Sequence, residues 1–182
     1  MYGIDILMEE HKNILAFTEY LRSVCFGILK GESVDTGLLR ECIDFIRTYA
    51  DKNHHGKEEK ILFRIMLEDL GSVADKLVRN GMLVEHDQGR LYVSELETAL
   101  DEYDKDHQEE HKLDIIANAI GYCELLKRHA GKEDAVVYTF ALRSLSKERL
   151  EQADKESEAF VKQAGEDGII DKYEGWLREK IK

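Results

Sequence analysis

The chain has 182 residues, no proline, 35% charged residues and a formal net charge of -12. That length suits one well-packed domain with a short appendage, and the acidic balance leaves no basic stripe for nucleic acid or an anionic membrane surface. The N-terminus lacks a charged-then-apolar signal pattern, and no apolar run approaches a membrane span, so export and membrane insertion have no support. Cys25, Cys42 and Cys123 are too scattered for a disulfide framework or a thiolate zinc site, which makes a reducing cytoplasm the expected setting.

Apolar residues recur with helical rather than alternating spacing, so the expected class is all-α. A first helix is predicted from near Ile4 to Leu29, with Ile4, Leu7, His11, Leu15, Thr18 and Leu21 on one broad face. Gly31 ends it. A second helix begins at Asp35 or Thr36, either a suitable N-cap, and carries Leu39, Ile43, Ile46 and Tyr49 towards His54. Gly71 closes it, and Ser72-Val73-Ala74-Asp75 resembles a capping box that opens a third helix from Val73 past His86 to near Tyr103. The acidic stretch from Asp101 to Glu110 forms the next connection or frayed helix ends, and a fourth helix runs from near Glu110 to Leu142. Beyond Ser146 a charge-rich helix is predicted to end near Gly165, followed by an amphipathic one carrying Ile169, Ile170, Tyr173, Trp176 and Leu177. These last two helices either pack on the preceding bundle or mediate self-association.

The chain uses one phrase twice. His54-His55-Gly56-Lys57-Glu58-Glu59-Lys60-Ile61-Leu62-Phe63 returns 75 residues later as His129-Ala130-Gly131-Lys132-Glu133-Asp134-Ala135-Val136-Val137-Tyr138. Glu10-His11 returns as Glu85-His86 at the same offset. A register shared by two separate His motifs argues for a duplicated helical hairpin, and hence for a four-helix bundle over residues 1–145 with a C-terminal helical extension over residues 146–182.

Helical residues four apart lie on one face, so His54 with Glu58, and His129 with Glu133, can each offer an imidazole and a carboxylate to one point. Pseudo-symmetry then converges His11, His54 and Glu58 from one half with His86, His129 and Glu133 from the other. Four imidazoles and two carboxylates are costly to bury unpaired. Two metal ions bridged by the carboxylates remove that cost, and a nitrogen and oxygen donor set suits iron or manganese better than structural zinc. Gly56 and Gly131 sit mid-helix beside each motif, where glycine costs roughly 1 kcal/mol relative to alanine. This points to close backbone approach or a local distortion there, unless duplication simply retained them.

At these residues the chain resembles the hemerythrin-like (HHE cation-binding) family, over about residues 1–145. The resemblance implies an antiparallel up-down bundle and a non-haem centre of two iron ions with an oxo or hydroxo bridge and two bridging carboxylates. Its ligands would be His11, His54, Glu58, His86, His129 and Glu133. Oxygen-carrying members bind O2 at one open iron position. Carriers have a second His one turn before the third-helix His, where this chain has Met82, and an Asp five residues after the last His, where this chain has Glu133 four after. Some bacterial and eukaryotic relatives share the four-residue spacing. The Met82 change removes one imidazole and argues against carrier-like reversible binding.

His55 has no repeat partner, since Ala130 stands in its place. Two readings stand side by side: a ligand to the metal held by His86 and His129, or a rim histidine bonded to a carboxylate. Glu10 and Glu85 precede the repeated histidines and are placed to accept their N–H groups, or else lie on solvated faces. Glu59 and Asp134 read as surface charges, and Tyr122 as a core residue two turns before His129 that could instead line the site. His107-Gln108-Glu109-Glu110-His111 matches an inverted zinc-protease pattern but falls in the acidic connection with no third ligand in range.

The functional expectation is a di-iron protein that binds O2 or a related small ligand for storage, sensing or scavenging. The alternative is a di-iron oxidoreductase acting on peroxide or nitric oxide, and the third is a metal-free structural bundle.

Overall fold

The computed structural model describes residues 1–182 and contains helices and no strands. The first helix, α1, spans Tyr2–Leu29. The second rod, α2, covers residues 36–69: Thr36–Phe45 runs on through wider π-helical turns at Ile46–His55 and Glu58–Leu62 into Phe63–Asp69. Its Asp35 cap accepts the Leu38 N–H at 2.9 Å. The third rod, α3, covers residues 71–106 with a π turn at Val78–Met82, and the fourth, α4, covers residues 109–144 with one at Glu133–Val137. Two shorter helices follow, α5 (Lys147–Glu166) and α6 (Ile169–Lys180).

Two local details differ from the sequence expectation. The third rod starts at Gly71, in the left-handed region at φ 59°, and Ser72 makes no capping bond, because the helix begins one residue ahead of it. The acidic connection shrinks to His107 and Gln108, with His107 left-handed at φ 56° and its ring on the Tyr103 carbonyl.

The first four rods form an antiparallel bundle in which α1 packs against α4, α4 against α3, and α2 against α1 and α3. Two apolar clusters fill it. One gathers Ile14, Phe17, Phe45, Leu96 and Leu126 towards one end, and the other gathers Ile4, Leu62, Met66, Val78 and Tyr138 towards the opposite end. The repeated histidines and glutamates lie buried alongside these apolar layers.

The C-terminal helices pack on the bundle. A carboxylate of α5, Asp154, accepts the Gly3 N–H at 2.8 Å, and a Cβ at Gly3 would fall 2.7 Å from Ser157 Oγ, so any larger residue here would have to push Ser157 aside. Phe160 lies over the Lys57 ammonium, 5.3 Å from ring centroid to nitrogen. In α6, Tyr173 and Leu177 join the first apolar cluster, and Trp176 packs on Phe45 at 5.6 Å while donating its indole N–H to Glu41. No helix is long and apolar enough to cross a membrane.

Candidate metal centre

The π turns cluster at the repeated motifs. Such a turn carries one extra residue per hydrogen-bonded ring and often marks a functional site. It narrows the angle between neighbours, so consecutive His54 and His55 are both buried. The mid-helix glycines flank these turns. A Cβ at Gly56 would sit 3.5 Å from Phe160, an ordinary contact, and one at Gly131 would meet nothing within 4 Å. Local distortion therefore accompanies both positions, and close backbone approach does not.

Two groups of side chains converge. His11, His54, Glu58 and Glu133 form one, and His55, Glu58, His86 and His129 the other, with ligand atoms in each within 4.8 Å of one another. Both carboxylates reach across. Glu133 Oε2 stands 3.2 Å from His11 Nε2 and 3.2 Å from His129 Nε2. Glu58 Oε2 stands 3.6 Å from His54 Nε2 and 3.5 Å from His86 Nε2. Each glutamate thus faces one imidazole from either half of the repeat.

The outward ring nitrogens explain which way the lone pairs point. His54 Nδ1 donates to Glu10 at 2.9 Å, and His129 Nδ1 to Glu85 at 3.0 Å, the first of the two readings the sequence left open. His11 Nδ1 donates to Asp134 at 2.8 Å, and His86 Nδ1 to Glu59 at 2.7 Å. The last two carboxylates are a correction: they read as surface charges because they follow the motif glutamates, yet they turn back to the histidines of the neighbouring helix. With every Nδ1 proton committed outward, every Nε2 presents a lone pair inward. His86 Nε2 and His129 Nε2 then face each other at 3.1 Å, an arrangement that repels unless a cation or proton lies between them.

Electrostatics agree. Burial pushes the His54 imidazole well below its ordinary value, and with it His86 and His129, the last to about 4. Burial, helped by the charge of Glu133, drives the Glu58 carboxyl well up, and burial lifts Glu133 to about 8. The buried atoms with no hydrogen-bond partner include His54 Nε2, His55 Nε2, Glu58 Oε2 and both Glu133 oxygens. A buried polar atom left unpaired costs about 1–3 kcal/mol, so this cluster of lone pairs fits a cation site. The three cysteines are buried elsewhere and contribute no thiolate.

Sequence reading missed several further residues. Tyr138 donates its hydroxyl to Glu58 Oε1 at 2.6 Å. Lys57, buried, donates to Glu10 Oε1 at 2.7 Å and to the Asn53 carbonyl, while Asn53 also donates to Glu10. Arg90 binds Asp51 and Glu59 together, both at 2.7 Å, and Asp51 accepts His55 Nδ1 at 3.2 Å. The repeat carried the signal for some of these, since Lys57 and Lys132, Glu59 and Asp134, and Phe63 and Tyr138 all share the 75-residue offset. Arg90 and Asp51 have no such mark. His107 and His111 stay at the far connection, outside both groups.

No curated protein and no solved structure matches the chain. The hemerythrin HHE cation-binding domain matches residues 2–141. That span contains both His/Glu groups and all four bundle rods to within their last turn, and the chain accordingly belongs to the hemerythrin HHE cation-binding family.

Proposed function

We propose that the chain is a non-haem di-iron protein that binds O2 or a related small ligand within the bundle core. The observation that carries this reading is the pair of carboxylates, Glu58 and Glu133, each set between imidazoles of both halves. His11 and His54 would hold one ion, His86 and His129 the other, and the two glutamates would bridge them. Bound iron supplies a redox-active centre with a position for an exogenous ligand.

The protein's part is to hold, orient and enclose. Glu10, Glu85, Glu59 and Asp134 fix the histidine tautomers so that Nε2 faces inward, the usual role of carboxylates behind metal-bound imidazole. Tyr138 steadies one Glu58 oxygen and leaves the other free. The apolar packing around Phe63, Met66 and Leu126 limits water around the centre.

An oxidoreductase acting on peroxide or nitric oxide would use the same ligands. The two readings separate on exposure of reduced, iron-loaded protein to O2. A spectral change that saturates near one ligand per chain and reverses on degassing supports binding. Sustained consumption of O2, peroxide or nitric oxide would replace it with turnover, and no response to any of the three would overturn both.

A further inference from the structure

The three most exposed large apolar side chains of the protein fall on one face of the bundle. Leu29 is 71% exposed, Leu113 66% and Phe26 59%. Phe26 and Leu29 belong to the last turn of α1, and with Ile116 and Ile120 of α4 they line a shallow open groove of about 380 Å³. Leu113 stands three residues before Ile116, so the apolar strip continues past the groove towards the start of α4. Single exposed apolar residues are ordinary on a protein surface, but a contiguous patch marks an interaction site. The two C-terminal helices leave it open, since they pack elsewhere, against Gly3, Lys57 and Phe45.

The charges that bracket the patch are sorted by sign. Glu110, Leu113, Ala117, Ile120, Glu124 and Arg128 recur at steps of three and four, so they share one face of α4, and none of them is buried. At the start of that face Glu109, Glu110 and Asp114 stand against one base, Lys112. Lys112 pairs with Glu109 at 2.7 Å, which leaves Glu110 free. Beyond Ile120 the balance reverses. Lys127 pairs with Glu19 at 2.5 Å and Arg22 with Glu124 at 3.1 Å, while Arg128 reaches Glu124 only at 3.9 Å. The face therefore ends in an unpaired acid on one side and a loosely held base on the other.

A surface with acid at one end, base at the other and apolar side chains between is complementary to itself after a half turn. A uniformly acidic or basic partner would meet repulsion at one end. Residue 119 lies midway between Glu110 and Arg128, inside the Ile116–Ile120 stretch. The apolar strips of two copies therefore overlap when their end charges pair.

We propose that this α1–α4 face binds a second copy of the chain about a twofold axis near Ile120, with the two α4 helices antiparallel. Glu110 of one protomer meets Arg128 of its partner, and Phe26, Leu29, Leu113 and Ile116 are buried between them. The contact does not depend on the metal reading above.

Sedimentation of the full-length chain from low micromolar to submillimolar concentration tests this. The expected result is a reversible monomer–dimer equilibrium with no larger species, because a twofold contact closes on itself. Phe26→Glu and Leu113→Glu change side chains that are exposed in the monomer, so helicity should be kept while dimerisation weakens about 100-fold or more. Arg128→Glu and Glu110→Arg should each weaken it about tenfold, and the double variant should recover most of that loss. Within one chain these two residues are roughly 27 Å apart along α4, so recovery requires contact between copies. A chain that stays monomeric throughout would overturn the proposal and leave the face to a different partner. A dimer indifferent to Phe26→Glu and Leu113→Glu would overturn it by placing the interface elsewhere. A double variant no better than the single ones would overturn the antiparallel pairing, and the proposal with it.

Discussion

Tyr138 donates its hydroxyl to Glu58 Oε1 across 2.6 Å, and both side chains are buried. Phe63 occupies the equivalent place in the first half of the repeat and stacks on His86 instead, with no hydroxyl to offer Glu133. The pseudo-symmetry of the centre is broken at this pair. Tyr138→Phe should keep the bound metal but lower the stability of the loaded protein by about 2 kcal/mol, since a hydrogen bond to a charged group is worth roughly 1.5–3 kcal/mol. Denaturant unfolding of the metal-loaded variant measures this, and a stability equal to wild type would show that the bond contributes nothing.

Lys57 and Lys132 make the same contact in the two halves, to Glu10 and Glu85, in different surroundings. Lys57 is 1% exposed beneath Phe160 of α5, whereas Lys132 is 48% exposed. Removing one partner of a buried pair leaves an uncompensated charge and costs about 3–5 kcal/mol, while a half-exposed pair is worth about 0–1 kcal/mol. Lys57→Met should therefore destabilise by about 3 kcal/mol or more, and Lys132→Met by under about 1 kcal/mol. Equal losses would contradict the asymmetry that α5 creates.

One guanidinium, Arg90, ties together the carboxylates behind His55 and His86. Lysine offers a single point charge and cannot span both with fixed geometry. Arg90→Lys should weaken metal retention about tenfold, in the range seen for partners of metal-bound histidine. The rate of iron loss to a chelator measures it. Loss at the wild-type rate would show that the network leaves the ligands unaffected.

Metal-free protein should respond to pH in an unusual direction. Burial lifts Glu133 to about 8 and Glu58 well above its ordinary value, so the folded state holds these protons longer than the unfolded chain does. That stability is full below the unfolded value of 4.5 and is lost as pH rises through the folded value. The buried histidines work oppositely, and their contribution is lost as pH falls below their ordinary 6.5. Between 6.5 and about 8 only the carboxyl effect remains, so the metal-free form should lose stability as pH rises across that window. Bound cations replace those protons, and the loaded form should not show the loss. Unfolding midpoints of both forms at the two ends of the window decide the matter, and a metal-free protein that gained stability would contradict the burial of these groups.

The 75-residue offset made the bundle and the six central residues legible, because helical spacing alone sets His54 above Glu58 and His129 above Glu133. It also aligned Glu10 and Glu85 with the rings they accept from. What it could not carry were contacts between rods. Asp134 reaches His11 across 123 residues, and Arg90 reaches Asp51 across 39, through crossings that no local pattern encodes. The π turns were hidden for a related reason, since a distortion of one residue leaves the apolar periodicity nearly intact and shows only as a glycine out of place. The role of residues 146–182 depended on which face of the bundle was left to cover, and Phe160 over Lys57 and Trp176 on Phe45 answer that only in three dimensions.

The central claim is that Glu58 and Glu133 straddle two ions. Elemental analysis combined with magnetic measurement of protein loaded with ferric iron tests it most directly. The account predicts about two irons per chain that are spin-coupled through the shared bridges, and a loss of that coupling in Glu58→Ala. One iron per chain, none, or two ions with independent magnetic signals would contradict it.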